Sequence, residues 1–188
     1  MDLRYIGHSA FELKLANNSI LIDPFVQVNP EYNWREANIT DIFVTHAHGD
    51  HLGQAIEIAK EKGATITAVF ELANYLREQG CKVRPVGFGS WINYEWGRVV
   101  FVPAFHSSSL PDGRYAGEPA GIIFDVENVR IYHAGDTALT SEMKTIKELY
   151  RPNIAMLPIG GNYTMDVEHA VVASEWIGAQ TIIPMHYG

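Results

Sequence analysis

Short runs of apolar, largely β-branched residues recur along the chain and alternate with segments of helical periodicity. These runs predict strands, and they occupy residues 19–25, 41–46, 64–70, 98–105, 121–126, 129–135, 153–160 and 181–186. Only Glu127 and Asn128 separate two of the runs, which favours a β-hairpin at that point. The pattern therefore predicts an α/β protein that is rich in strands.

Amphipathic segments fill several of the gaps between the predicted strands. Their apolar residues recur at helical spacing, and a glycine or a proline follows each stripe as a stop signal. The predicted helices lie within residues 52–63, 72–80, 143–152 and 166–178. Irregular stretches at 24–38, 107–119 and 160–165 are expected to build the walls of a pocket.

Composition and charge narrow the class of protein. A length of 188 residues suits one domain, and we expect residues 1–188 to form it. The formal net charge of −8 opposes binding to a nucleic-acid backbone. The sequence indicates no signal peptide and no membrane span, and the single cysteine, Cys81, cannot close an intrachain disulfide. We therefore expect a cytoplasmic protein.

Four side chains that commonly bind metals lie within six residues: His46, His48, Asp50 and His51. An extended backbone would direct the first two histidines to the same side, and Gly49 would let the chain turn back beside them. One tetrahedral ion does not need four ligands from one loop, so the cluster suggests two ions. A polar loop without metal is disfavoured, because neighbouring imidazoles would then lack a compensating cation.

Three further candidate ligands share one position relative to the predicted strands. His106, Asp136 and His186 each lie at or just after the carboxyl end of an apolar run, as the histidine cluster does. Side chains at equivalent strand ends can converge on one edge of a sheet. We therefore expect these residues to contribute to the same site.

These residues follow the order of five motifs of the metallo-β-lactamase superfamily, which the chain resembles over nearly its whole length. The matching segments are LIDPF with Asp23, HAHGDH, FHSS with His106, AGDT with Asp136 and PMHYG with His186. Within the superfamily, GHSAFEL and LPIGGNYTMD are similar to metal-dependent hydrolases related to the L-ascorbate-6-phosphate lactonase group. The resemblance implies an α/β (α+β) fold, a four-layer αββα sandwich with the metal site at one edge of its two sheets. The family usually continues past the last motif, so we expect this chain to lack C-terminal elements.

The resemblance also implies two divalent metal ions and a ligand set for each. The first ion would be bound by His46, His48 and His106, the second by Asp50, His51 and His186, with Asp136 bridging both. Asp23 would accept an N–H from a metal-bound imidazole, and His133 is expected just behind the ligands. Zinc is the first expectation for the metal, and Mn, Fe or Ni are alternatives.

A site of this kind implies a hydrolase in which a hydroxide between the two ions attacks the substrate. We expect cleavage of an ester, lactone or phosphodiester bond in a small, anionic molecule. Asp50 is assigned a catalytic role as a carboxylate that holds the nucleophile, and His8 one in orienting substrate or passing a proton. The loop residues Asn162, Tyr163 and Met165 are candidates for binding the substrate.

Other interpretations remain open at this level. The superfamily also contains nucleic-acid phosphodiesterases and nucleases, although the net charge of −8 disfavours that substrate. A protein that keeps its metal for folding or sensing, without catalysis, is a third interpretation. Structural roles stay open for His8, for Asp23 in an Asp-Pro turn and for the 162–165 loop. The sequence leaves homo-oligomerisation open and indicates no membrane or nucleic-acid partner.

Overall fold

The computed structural model describes residues 1–187, which form twelve β-strands, five α-helices and two short 3-10 helices. The chain groups into two compact units. Unit 1 comprises Met1–Val86 and Ser108–Glu118, and unit 2 comprises Gly87–Ser107 and the chain from Pro119 onward. Each unit contains one mixed sheet with helices, so the predicted α/β class is confirmed. Within the described part of the chain, no helix is long and apolar enough to cross a membrane.

Unit 1 is built on a six-stranded sheet whose strands lie side by side in sequence order. The strands are β1 (Asp2–Gly7), β2 (Ala10–Lys14), β3 (Ser19–Ile22), β4 (Ile39–Phe43), β5 (Thr65–Val69) and β6 (Lys82–Val86). The first three pair antiparallel, whereas β3 to β6 pair parallel. The helices are α1 (Gly49–Leu52), α2 (Ala55–Lys62) and α3 (Phe70–Glu78), and the 3-10 helices are Val26–Val28 and Trp34–Glu36. Helix α2 packs on β4 and β5, and α3 packs on β5 and β6.

Unit 2 is also built on a six-stranded sheet. Its strands are β7 (Ile92–Tyr94), β8 (Gly97–Pro103), β9 (Ala120–Val126), β10 (Val129–His133), β11 (Ile154–Pro158) and β12 (Thr181–Met185). The strands from β7 to β10 pair antiparallel, and those from β10 to β12 pair parallel. The helices α4 (Glu142–Leu149) and α5 (Val167–Ile177) pack on each other, and α5 packs on β11.

Several inner strands of the two sheets are largely apolar and buried on both faces, as their sequences predict. All four residues of β3 are buried, and so is the run Val99–Val102 inside β8. Strands with continuous apolar runs are typical of sheets covered on both faces. The predicted hairpin joins β9 and β10, and its two residues Glu127 and Asn128 both have positive φ, 50° and 65°. That conformation matches the type I′ turn that a two-residue hairpin favours.

Four strands, β1, β2, β6 and β7, are absent from the prediction. In β1 the exposed residues Asp2 and Arg4 alternate with more buried ones, so no continuous apolar run forms. Strands β6 and β7 are the last strands at one edge of their sheets, where less apolar surface is buried. Strand β6 contains Pro85, and β12, the last strand at one edge of the other sheet, contains Pro184. Proline cannot donate to a strand ladder, which favours its placement in outer strands or at strand ends.

The four predicted helices correspond to α2–α5. For α5, the sequence placed Asp166 in the first turn, whereas the structure makes it the N-cap, whose side chain accepts the backbone N–H of His169. Gly178 ends this helix with a φ of 66°, the left-handed conformation that glycine adopts at low cost.

Candidate metal centre

Three strands of unit 1 end at the same edge of their sheet and carry polar residues there. Strand β2 is antiparallel to both β1 and β3, and β3 is parallel to β4, so β1, β3 and β4 run in one direction. Just after their ends come His8, Asp23 and His46. The sheet topology therefore gathers imidazole and carboxylate side chains from distant parts of the sequence within unit 1.

The segment from His46 to His51 folds back on itself. The Nε2 atom of His46 lies 3.0 Å from Nδ1 of His48, and the ring centroids of His46 and His51 are 4.1 Å apart. His48 is the N-cap of α1, and this four-residue helix carries Asp50 and His51. The single helical turn thus brings the imidazole of His51 next to that of His46, and both imidazoles are fully buried.

A buried carboxylate fixes the orientation of this segment. Asp23 Oδ1 accepts the backbone N–H of Thr45 at 2.8 Å, and Oδ2 accepts the Thr45 hydroxyl at 2.7 Å. The same Oδ2 lies 2.7 Å from Nδ1 of His51. An N–H at Nδ1 leaves the lone pair on Nε2 of His51 to bind a metal, and the contact fixes the plane of the ring.

His8 and Asp50 form the outer part of the donor cluster in unit 1. The Nε2 atom of His8 lies 3.0 Å from Oδ2 of Asp50, and Nε2 of His51 lies 3.9 Å from the same oxygen. The potential ligand atoms of these three residues all lie within 4.8 Å of one another. The structure therefore makes His8 a candidate ligand in addition to the proton carrier that the sequence suggests.

The three remaining predicted ligands lie together within unit 2. Oδ2 of Asp136 is 3.1 Å from Nε2 of His186 and 3.6 Å from Nε2 of His106. These residues follow the ends of β12, β8 and β10, which run in one direction in the sheet. Asp136 is buried, so the two imidazoles face a carboxylate that water reaches poorly.

Backbone contacts between loops hold the donors of unit 2. The hydroxyl of Thr137 accepts the N–H of Phe105, next to His106, and the carbonyl of Thr137 accepts the N–H of Met165. Gly160 packs against the backbone of His186 so closely that a Cβ at this position would overlap the His186 carbonyl oxygen. The three ligand loops are therefore restrained by main-chain contacts and by the Thr137 hydroxyl.

The residues of both clusters fit divalent metal ions. Donor atoms about 2.1 Å from a tetrahedral ion stand about 3.4 Å from one another. The donor separations within unit 1 are 3.0 to 3.9 Å, and those within unit 2 are 3.1 and 3.6 Å. Imidazole and carboxylate are the ligands of zinc and of other first-row metals. These donor types and pairwise separations are therefore suited to binding divalent metal ions.

The sequence model of a family described as "Beta-lactamase superfamily domain" matches residues 2–186, almost the whole chain. The chain belongs to the metallo-β-lactamase superfamily. A curated relative, the UPF0173 metal-dependent hydrolase of Bacillus cereus, is 44% identical over 194 residues, which cover 100% of this chain and 86% of the relative.

Solved structures show the same fold. Igni18, a metallo hydrolase from the hyperthermophilic archaeon Ignicoccus hospitalis, matches with a TM-score of 0.90 and 36% identity over 99% of this chain and 82% of its own. The isothiocyanate hydrolase from Delia radicum gut bacteria matches with a TM-score of 0.79 and 21% identity over 100% and 85% of the two chains, which shows the fold alone. This superfamily member is therefore a metal-dependent hydrolase, and its link to the lactonase group stays a prediction.

Several residues predicted from the superfamily motifs have a strained backbone. Positive φ angles occur at His8, Asp23, Asn162 and His186, with values of 53°, 45°, 53° and 56°. Non-glycine residues rarely adopt this conformation, and such strain is concentrated at functional sites. The fold therefore maintains costly local conformations at positions that the motifs single out.

The residues predicted to bind substrate or to lie behind the ligands differ in their exposure to solvent. Asn162 and Tyr163 are accessible, and Tyr163 is 76% exposed, whereas Met165 is only 1% exposed and packs inside unit 2. His133 is fully buried at the end of β10, where its Nδ1 accepts the N–H of Gly135, one residue before Asp136. Their roles in substrate and metal binding stay predictions.

Sequence reasoning missed several residues that support the donors. Thr45 links Asp23 to the ligand segment, Thr137 links two ligand loops, and the Ser108 hydroxyl accepts the N–H of Ala47 between two histidines. All three are buried hydroxyl residues whose partners are distant in sequence. The burial of Thr45 among apolar strand residues was the one available signal, because a polar residue at a buried position needs a partner.

Proposed function

We propose that this hydrolase cleaves an ester, lactone or phosphodiester bond in a small, anionic molecule with the help of two divalent ions, zinc first among them. The observation that carries the proposal is the pair of donor clusters, each with imidazole and carboxylate atoms 3.0 to 3.9 Å apart. The names of the relatives as metal-dependent and metallo hydrolases support the same reaction class.

The predicted ligands of the two ions are found in both units. Unit 1 would supply His46, His48, Asp50 and His51, and unit 2 would supply His106, Asp136 and His186. When bound, such ions lower the pKa of water toward neutrality and polarise a carbonyl or phosphoryl oxygen. The chain's own contribution is to present deprotonated donors in fixed orientations and to exclude water around them.

The network around Asp23 assigns specific atoms to that task. By accepting at Oδ2 from Nδ1 of His51, Asp23 keeps the opposite nitrogen of this imidazole available as a ligand. His8 lies 3.0 Å from Asp50 and is partly accessible, so its Nε2 can hold or release a proton beside that carboxylate. Asp50 is accordingly the residue of unit 1 that we assign to hold the nucleophile.

A cysteine nucleophile is disfavoured. Burial raises the pKa of the Cys81 thiol, so the thiolate is scarce at neutral pH. Cys81 precedes β6, outside the strand ends that carry the donors of unit 1. Hydrolysis by activated water therefore remains the chemistry that this chain supports best.

Two exposed aromatic side chains in unit 2 indicate part of the substrate. Phe105 precedes His106 and is 74% exposed. Tyr163 is 76% exposed and lies in the loop in which the backbone N–H of Met165 donates a hydrogen bond to the carbonyl of Thr137. Exposed aromatic side chains beside a polar centre are suited to bind an apolar portion of a ligand. We therefore assign Tyr163, with Asn162, to substrate contact and expect the anionic substrate to carry an apolar group.

The test is to purify the protein without added metal, determine its metals by elemental analysis and assay ester, lactone and phosphodiester panels. We expect turnover in at least one panel, and a loss of at least about 100-fold in kcat for Asp50→Ala. Asp112→Ala, an exposed carboxylate of unit 1, is the matched control and should keep full activity. Equal activity of Asp50→Ala, or no turnover by metal-replete protein, would contradict the proposal. Cleavage restricted to oligonucleotides, with steep salt dependence, would favour the nuclease interpretation.

A further inference from the structure

A second polar cleft lies in unit 2, where β8, β10 and β11 begin and β9 ends. It has a volume of about 400 Å³, and its lining residues are Arg98, Asp125, Asn128, Arg130, Arg151 and Asn153. The predicted ligands of this unit follow the opposite ends of β8, β10 and β12. The cleft is therefore separate from the donor cluster of unit 2.

The charge of this cleft is opposite to that of the protein. Three arginines and one aspartate line it, which gives a local charge of +2, whereas the chain carries a net charge of −8. The charge of one carboxylate offsets that of only one guanidinium. The excess of arginine therefore cannot be explained as neutralisation of Asp125.

Two of the arginines are held in place by the fold. Arg98 donates from Nε and Nη2 to Oδ2 of Asp125 at 2.9 and 2.7 Å, and its guanidinium lies over the Trp91 ring at 4.3 Å. Arg130 donates from Nε to the same oxygen at 3.3 Å and from Nη1 to the carbonyl of Tyr150 at 2.7 Å. The contacts described for residues 1–187 use two of the five N–H groups of each arginine. Three N–H groups of each remain to bind a ligand.

Neutral donors and a third arginine complete the lining. The Asn153 side-chain oxygen accepts the backbone N–H of Arg130 at 2.8 Å, which fixes the amide so that its NH2 group remains as a donor. Arg151 is exposed and has a φ of 47°, a conformation in which glycine or asparagine is less strained. The cleft therefore presents N–H donors from several directions.

We propose that this cleft binds the phosphate group of a small molecule or free phosphate. Guanidinium groups fixed in position match phosphate oxygens in charge and geometry, and they lose little side-chain entropy on binding. A planar carboxylate has two oxygens and would satisfy only one guanidinium fully, whereas a tetrahedral oxyanion can accept from three arginines at once. The site does not depend on the proposed hydrolytic reaction.

The experiment is a titration of the metal-loaded full chain with inorganic phosphate, followed by ¹H–¹⁵N NMR. We expect saturable shifts of the Arg130 and Asn153 amides, and binding about tenfold weaker in Arg151→Gln. Arg77→Gln removes the same charge from an exposed site in α3 and should bind as the wild type does. Equal urea midpoints for the three proteins would show that each is folded.

Further ligands distinguish the sources of the phosphate group. Tighter binding of glycerol 3-phosphate than of inorganic phosphate would support a phosphorylated small molecule, and weaker binding would support the free ion. Acetate should bind at least about tenfold more weakly than phosphate. The proposal is overturned if the shifts are confined to amides beside His106, Asp136 and His186, or if the shifts do not saturate with phosphate. It is also overturned if Arg77→Gln loses as much phosphate affinity as Arg151→Gln, or if Arg151→Gln binds phosphate as the wild type does. Acetate binding as tightly as phosphate would overturn it as well.

Discussion

The two units hold their predicted metal ligands by different means. In unit 1 the donors come mainly from one continuous segment, and a buried side-chain network through Asp23 and Thr45 orients them. In unit 2 each donor comes from a separate loop, and the loops are aligned by main-chain contacts and by the Thr137 hydroxyl, which accepts a main-chain N–H. The first arrangement fixes the orientation of the imidazole rings directly. The second fixes the backbone, and the positions of the imidazole rings depend on that backbone.

This difference separates metal affinity from stability. Removing a side-chain partner in unit 1 should weaken metal binding while the fold persists, because the backbone remains in place. Disturbing a loop contact in unit 2 should chiefly lower the stability of the fold. Four experiments, from the largest expected effect to the smallest, test this contrast.

The largest effect is expected for Asp136→Ala in unit 2. This carboxylate lies next to both His106 and His186, so its loss removes a partner that the two imidazoles share. Metal affinity should fall by more than about 100-fold, beyond the range seen when only an outer partner of a ligand is removed. Elemental analysis after dialysis measures the loss. Glu168→Ala, an exposed carboxylate of the same unit, should retain its metal.

Asp23→Asn should have the next largest effect and tests the side-chain network of unit 1. The amide keeps the shape of the carboxylate, but it lacks the charge and presents an NH2 group to Thr45 or His51. We expect metal affinity to fall about 10- to 100-fold, measured by competition with a chelator. The exposed Asp2→Asn serves as the control. An unchanged affinity for Asp23→Asn would mean that the network does not orient the ligands.

Gly160→Ala tests the main-chain alignment in unit 2. The new Cβ would overlap the backbone of His186, so either β12 or the loop must shift. Overpacking of this kind costs about 1–3 kcal/mol in free energy of unfolding, which urea denaturation measures. Gly87→Ala lies in open space in the same unit and should change stability by less than about 0.5 kcal/mol. If both variants were equally stable, the proposed role of Gly160 would be wrong.

The smallest effects are expected for a matched pair of hydroxyl deletions, Thr45→Val and Thr137→Val. Each removes hydrogen bonds worth about 1 kcal/mol, so both should destabilise the protein slightly. Only Thr45→Val should also weaken metal binding, by several-fold, because only Thr45 contacts the carboxylate behind a ligand. Thr45→Ser and Thr137→Ser retain the hydroxyl, so both variants should have the stability and the metal affinity of the wild type. The reverse pattern would overturn the contrast between the units.

The candidate ligands and most of the inner strands could be predicted from the sequence for clear physical reasons. Inner strands such as β3 bury both faces and so appear as continuous apolar runs. The ligand motif needs imidazoles and carboxylates at fixed spacing along the chain, so it can be recognised from the sequence alone. The fold class followed from the alternation of these runs with amphipathic helices, and the superfamily motifs implied the rest.

The supporting contacts were not accessible, because they are made between residues that are distant in sequence. Threonine is common, and nothing local to Thr137 indicates that its hydroxyl accepts the N–H of Phe105 thirty-two residues away. The arginines of the second cleft are likewise scattered at 98, 130 and 151, so only the sheet register of β8 and β9 brings Arg98 to Asp125. The proline-containing strand β6 was missed because its residues are partly exposed.

The prolines in the two outer strands have a consequence for the protein's behaviour at high concentration. The last parallel strand of each described sheet, β6 or β12, lacks a backbone donor at Pro85 or Pro184. A strand from another molecule that tried to extend either sheet would meet a gap in the ladder at that point. These edges are therefore protected against the intermolecular β-pairing that leads to aggregation.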